Sequence, residues 1–70
     1  MSESVYKVIE LVGTSTESWE KAAATAISKA SETLRDLRIA EVTAMDIHIN
    51  EGTLEFRTKL KVSFKFEGHH

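Results

Sequence analysis

Cysteine and proline are both missing from this 70-residue chain, and glycine occurs only three times. Without cysteine there is no disulfide, no thiolate metal centre and no thiol nucleophile. Neither sign of charge dominates: nine Lys and Arg stand against eleven Asp and Glu, for a formal net charge of −2. That balance gives no reason to expect nucleic acid or an anionic membrane as partner. No apolar run approaches the roughly 20 residues that span a bilayer. The opening Met1-Ser2-Glu3-Ser4 lacks the basic and apolar regions of a secretion signal. The expectation is therefore one soluble cytoplasmic domain, residues 1–70. So short a chain builds only a modest core and often relies on oligomerisation. Residues 67–70, ending in His69 and His70, are read as a tail and carry no functional argument.

What is present is dominated by one stretch. Thr53 to Phe66 alternates without a break. Leu54, Phe56, Thr58, Leu60, Val62, Phe64 and Phe66 share one face; Glu55, Arg57, Lys59, Lys61, Ser63 and Lys65 share the other. Period-two alternation is the mark of a half-buried strand. At about 3.3 Å per residue the run would extend roughly 45 Å. We assign it as strand 3, residues 53–66.

Upstream, Ser4 to Val12 is rich in β-branched residues and is expected to form strand 1. Val5, Lys7, Ile9 and Leu11 take one face; Tyr6, Val8, Glu10 and Val12 take the other. Gly13 is expected to turn the chain. Thr14, Ser15 and Thr16 are each suited to cap the helix that follows, and Glu17 stands three residues after Thr14, as in a capping box. A Gly-Thr-Ser turn can also hold an anion, but a capped helix is the simpler reading.

From residue 16 to residue 36 the period becomes helical. Trp19, Ala22, Ala23, Ala26, Ile27, Ala30, Leu34 and Leu37 fall on one stripe. Alanine lets a helix approach a sheet closely, and Trp19 is the stripe's one large anchor. Residues 38–50 form strand 2. Strict alternation would place Ile39, Glu41, Thr43, Met45, Ile47 and Ile49 on one face, and Ala40, Val42, Ala44, Asp46, His48 and Asn50 on the other. Asn50-Glu51-Gly52-Thr53 is a hairpin signal. The fold class is α+β, with order β-α-β-β. Strand 3 is expected in the middle, giving an antiparallel sheet of order 1-3-2. One helix with small side chains cannot cover the whole of strand 3. The uncovered apolar surface points to symmetric self-assembly.

The chain resembles the dodecins. The resemblance rests on Val5-Tyr6-Lys7-Val8-Ile9-Glu10-Leu11-Val12-Gly13-Thr14-Ser15 leading into an alanine-rich helix. It continues through Ala40-Glu41-Val42, the Asn50–Thr53 hairpin and Leu60-Lys61-Val62-Ser63-Phe64-Lys65-Phe66. It covers nearly the whole chain. It implies a three-stranded sheet partly wrapping one long helix, and a hollow cubic homododecamer without catalytic turnover. It also implies binding or storage of a small ligand, a flavin such as FMN or riboflavin by default. Flavin-binding members stack a tryptophan at the start of strand 2 on the ring and hydrogen-bond the ring edge with a glutamine of strand 3. Here those positions are Ile39, which has no π face, and Arg57, which only donates. Glu41 and Lys65 complete the pocket positions implied by the resemblance.

The Thr14–Glu20 region and Arg38-Ile39-Ala40 are similar to a subgroup lacking that tryptophan, calcium dodecin among them. Calcium takes six to eight oxygen ligands. No EF-hand spacing occurs, so a site would assemble from separated carboxylates. Asp46, Glu41 and Glu55 are the candidates, with Glu51 in the hairpin; each is otherwise a solvated surface charge. The row of Arg57, Lys59, Lys61 and Lys65 suits an anion such as coenzyme A, or pairs with carboxylates across the sheet. His48 is the one internal histidine and reads as a polar strand residue. No nucleophile–base set stands out, so no catalytic residue is assigned.

Overall fold

The computed structural model describes residues 3–66; the 67–70 tail lies outside the described residues. The elements are β1 (Tyr6–Ser15), α1 (Trp19–Ala30), β2 (Leu37–Asn50) and β3 (Thr53–Lys65). They form one sheet of order β1-β3-β2, with both neighbours antiparallel to β3. The β-α-β-β topology and the central place of β3 are as the sequence implies. So is the hairpin. Glu51 and Gly52 both take positive φ, 48° and 85°, as a two-residue turn between twisted strands requires.

Three local expectations are corrected. Gly13 does not turn the chain. It lies inside β1, which runs on to Ser15. A Cβ at Gly13 would fall 2.0 Å from the carbonyl oxygen of Ala22, so the glycine is needed where the helix backbone crosses the strand. The helix cap is consequently later than Thr14, Ser15 or Thr16. Ser18 is the N-cap, and its hydroxyl accepts from the Lys21 amide at 3.0 Å. Ser15 instead accepts from the Glu17 amide at 2.9 Å within the connection.

The helix also ends early, at Ala30 rather than residue 36. The Ser31 hydroxyl donates to the carbonyls of Ile27 and Ser28, and the Leu34 amide returns to Ala30 O at 2.9 Å. Asp36 then takes a positive φ of 60°, which a helix cannot contain. Twelve residues make a helix of about 18 Å, lying on a strand of about 43 Å. The mismatch is larger than the sequence suggested.

The third correction concerns β2. Its register against β3 shifts between Leu37 and Ile39, and again between Val42 and Ala44. Each bulge inserts one extra residue and reverses the alternation beyond it. Thr43, the extra residue of the second, donates its hydroxyl to Lys59 O at 3.3 Å. Leu37, Ala40, Val42, Met45, Ile47 and Ile49 therefore pair with the helix-side residues of β3. Ile39, Glu41, Ala44, Asp46 and His48 pair with its charged-side residues. Ile39 and Glu41 do not share a face with Met45.

The core is small. Ala26 of the helix packs with Leu60 and Val62 of β3, and Ala22, Ala30 and Thr58 are buried as well. Ile9, Leu11, Ala23 and Leu37 pack around them. The predicted alanine stripe is thus the buried stripe. The molecule measures 54 × 21 × 15 Å, with a radius of gyration of 14.6 Å; about 11 Å is usual for this length. Its accessible surface is 5387 Å², where a compact 7.8 kDa monomer exposes about 4,400 Å².

Candidate ligand-binding face

The two bulges of β2 decide which residues meet. Opposite the helix, the sheet carries cross-strand rows set by register. Val8, Ser63 and Ile39 form one row, and Glu10, Lys61 and Glu41 the next. Val12, Lys59 and Ala44 follow, then Thr14, Arg57 and Asp46. His48 and Glu55 lie beyond, toward the hairpin, and Tyr6 and Lys65 at the other end. Every residue singled out from the sequence, apart from hairpin Glu51, therefore stands on this one face. The structure brings Asp46 to Arg57. It leaves Glu41, Asp46 and Glu55 on three different rows.

Asp46 and Arg57 are joined in a fork. Arg57 Nε donates to Asp46 Oδ1 at 2.7 Å and Nη2 to Oδ2 at 2.8 Å. Such bidentate geometry is the strongest form of this pair. The hydrogen bonds from Arg57, aided by its charge and that of Lys59, hold the Asp46 carboxyl below the usual carboxylate range. The same partner raises Arg57 further above its ordinary value. Arg57 thus spends its fork on a neighbour in its own sheet.

One row further on, His48 Nδ1 lies 3.4 Å from Glu55 Oε1. Lys61 stands in register between Glu10 and Glu41. Lys59 has only Val12 and Ala44 beside it. Ile39 is 66% exposed and, with Val8, Val12 and Tyr6, gives the face an apolar component. Among the described residues, no group of three or more His, Asp or Glu side chains is placed to hold a metal ion.

Sequence reasoning missed what supports this face from behind. The Trp19 indole donates to the carbonyl of Asp46 at 3.1 Å. Its ring meets Phe56 edge-to-face, with centroids 5.1 Å apart. Thr58 donates its hydroxyl to Trp19 O at 3.0 Å. Asp46 is therefore held by its backbone on one side of the sheet and by its carboxylate on the other. The available signal was general: a packed indole N–H seeks an acceptor.

The fold and the face together define a class: a small β-α-β-β protein whose sheet presents a charged and apolar surface away from a single packed helix. The dodecin family profile matches residues 5–67, and the chain belongs to the dodecin family. It is 48% identical over 63 residues to a calcium dodecin of Mycobacterium tuberculosis, covering 89% of each chain. The crystal structure of that relative is described as calcium chelating, with a novel calcium-binding site. It superposes with a TM-score of 0.86 and 44% identity over 96% of this chain and 97% of its own. A dodecin of Thermus thermophilus is 44% identical over 64 residues, covering 90% of this chain and 93% of its own. The dodecin structure from Streptomyces coelicolor superposes with a TM-score of 0.92 and 37% identity over 99% of this chain and all of its own. Among the described residues, no helix is long and apolar enough to cross a membrane.

Proposed function

We propose that this chain forms a hollow homododecamer that binds and stores a small ligand without turning it over, and that a divalent cation such as calcium is that ligand rather than a flavin. The observation carrying this reading is the Asp46–Arg57 fork. A flavin here would meet Ile39, which offers no stacking surface. At the ring edge it would meet an arginine that turns its Nε and Nη2 to Asp46 and, being a donor only, cannot accept from the ring as glutamine does. These residues do not suit a flavin, and no role is assigned to one.

Carboxylates on the same face favour a cation. Glu55 lies on the row next to Asp46, and Glu41 two rows away on its other side; calcium favours several carboxylate and carbonyl oxygens. One chain supplies too few at any one point, so the site is completed by carboxylates of a neighbouring copy. Similarity to a calcium-chelating relative supports the same choice. Glu41 is the ligand to test, because among the described residues no side-chain hydrogen bond or ion pair holds it as Arg57 holds Asp46.

Native mass spectrometry with calcium titration tests both parts. The expected result is a twelve-chain species that takes up calcium, with added riboflavin keeping its fluorescence. Glu41→Gln should weaken calcium uptake about tenfold, the scale of losing one ligand contact worth about 1.4 kcal/mol. Stoichiometric quenching of riboflavin, with no response to calcium, would reverse the choice of ligand. A stable single chain would remove the assembly.

A further inference from the structure

The hairpin end of the charged face holds a nitrogen donor that the calcium reading leaves unused. His48 and Glu55 are direct cross-strand partners. Both side chains are open to solvent, 58% and 41% exposed. His48 Nδ1 stands 3.4 Å from Glu55 Oε1, beyond the span of about 2.7–3.2 Å of a well-formed N–H···O bond. The separation matches a different geometry. Zinc bonds an imidazole nitrogen at about 2.0–2.1 Å and a carboxylate oxygen at about 2.0–2.2 Å, in a tetrahedron. Two such ligands on one tetrahedral ion stand about 3.4 Å apart.

The surroundings suit a cation. Arg57 is the one cationic side chain on the adjoining row. Its charge is taken up by Asp46 in the fork of 2.7 and 2.8 Å, so it does not oppose a metal beside Glu55. With that pair neutralised, the Glu55 carboxylate sets the sign of charge at this end. Asn50 follows His48 on the same face of β2 and adds an amide oxygen that can accept. The fold also sets the spacing of the pair in advance. The turn at Glu51 and Gly52 fixes the register that places His48 opposite Glu55, so binding orders two side chains and no backbone.

We propose that His48 and Glu55 hold a divalent transition metal, zinc by geometry, through Nδ1 and Oε1; this goes beyond the calcium reading and does not rest on it. Calcium takes oxygen ligands, whereas imidazole suits zinc, copper and nickel. His48 is the only imidazole among the described residues, which singles out this point from the carboxylates elsewhere on the face. Glu41, the residue that tests calcium, lies three rows away. No third His, Asp or Glu stands with the pair among the described residues. Two protein ligands are one fewer than a catalytic zinc has, so water takes the remaining positions, which the exposure of both side chains permits. An ion held in this way exchanges with solvent, as suits uptake and release rather than a structural centre.

Zinc chloride titrated into the protein by isothermal titration calorimetry provides the test. The chain also ends in His69 and His70, which bind zinc in their own right, so the reference is the full chain carrying His69→Ser and His70→Ser. In that reference, His48→Ala should weaken zinc binding by about tenfold or more and leave calcium uptake unchanged. Glu55→Gln should weaken zinc as well. Both positions are exposed, and circular dichroism checks that the variants fold. Cobalt(II), added in place of zinc, should give the intense visible bands of a tetrahedral ion in the reference and lose them in His48→Ala. Zinc binding that survives His48→Ala unchanged would overturn the proposal, as would a reference chain that binds no zinc; neither result touches the calcium reading. Zinc taken up through His48 by a chain that ignores calcium would support the proposal and overturn that reading.

Discussion

The middle of β3 and its hairpin end follow the same alternating pattern and meet opposite fates. Between Thr58 and Val62 the helix-side residues are almost completely buried; Leu60 is 1% exposed. At the hairpin end Leu54 is 46% exposed, although it is as apolar and lies on the same face. Pattern therefore selects the face of a residue, and coverage decides whether the face is core. Coverage here comes from α1, whose alanines reach the base of the sheet and stop at Trp19. The base folds within one chain, while the arm keeps its apolar side exposed.

Breaking the base should cost most. Leu60→Ala removes the largest fully buried side chain of β3 and should destabilise the protein by about 3 kcal/mol, read as a lower midpoint in urea unfolding. Gly13→Ala attacks the same region from the backbone. Its methyl cannot coexist with the Ala22 carbonyl, so helix and strand must separate. The expected loss is about 2–3 kcal/mol. If Gly13→Ala unfolds with an unchanged midpoint, the close crossing of α1 over β1 is not what holds the base.

The border between the regions is sharpened by Trp19→Phe. The ring contact with Phe56 survives, but the hydrogen bond to Asp46 O is lost. The expected cost is about 1 kcal/mol in the same unfolding assay. In the arm, Ile49→Ser should shift the stability of a dissociated chain by no more than about 0.5 kcal/mol. It should lower the thermal midpoint of the assembled protein clearly. Equal effects in the two states would erase the contrast between base and arm.

Legibility from sequence follows the same division. β3 could be placed residue by residue because nothing interrupts its alternation. The order of elements, the central strand and the buried alanine stripe followed from periods and connection lengths alone. β2 was legible in its extent but not in its faces, because its bulges fall at Arg38 and Thr43. In Val42-Thr43-Ala44, only valine carries a strong preference for either face. The consequence for the site was direct. Strict alternation separates Ile39 and Glu41 from Asp46, whereas the bulged strand puts all three on one face. Gly13 misled for a related reason. A glycine before Thr and Ser signals a turn locally, and the crossing helix that requires it is distant in sequence. The Trp19–Asp46 contact links residues 27 apart, beyond the reach of any spacing rule.

The smallest expected effect belongs to the Asp46–Arg57 fork, and pH isolates it. Asp46 titrates below its usual value of 3.8 because Arg57 hydrogen-bonds its charged form. A carboxylate whose folded pKa is depressed adds stability above its unfolded pKa; that stability fades as pH falls through the folded value. The groups facing the pair are Lys59 and Glu55 along β3, Thr14 of β1, and His48 on the neighbouring row of β2. Of these, Lys59 reinforces the shift. Thermal midpoints of the wild type and Asp46→Asn should therefore differ slightly at pH 7 and converge well below pH 3.8. The fork is half-exposed, so salt should narrow the difference at neutral pH. A gap that persists in acid would mean that the substitution disturbs the backbone held by Trp19 instead of the ion pair. In that case the site depends on the packing behind the sheet more than on the charges in front of it.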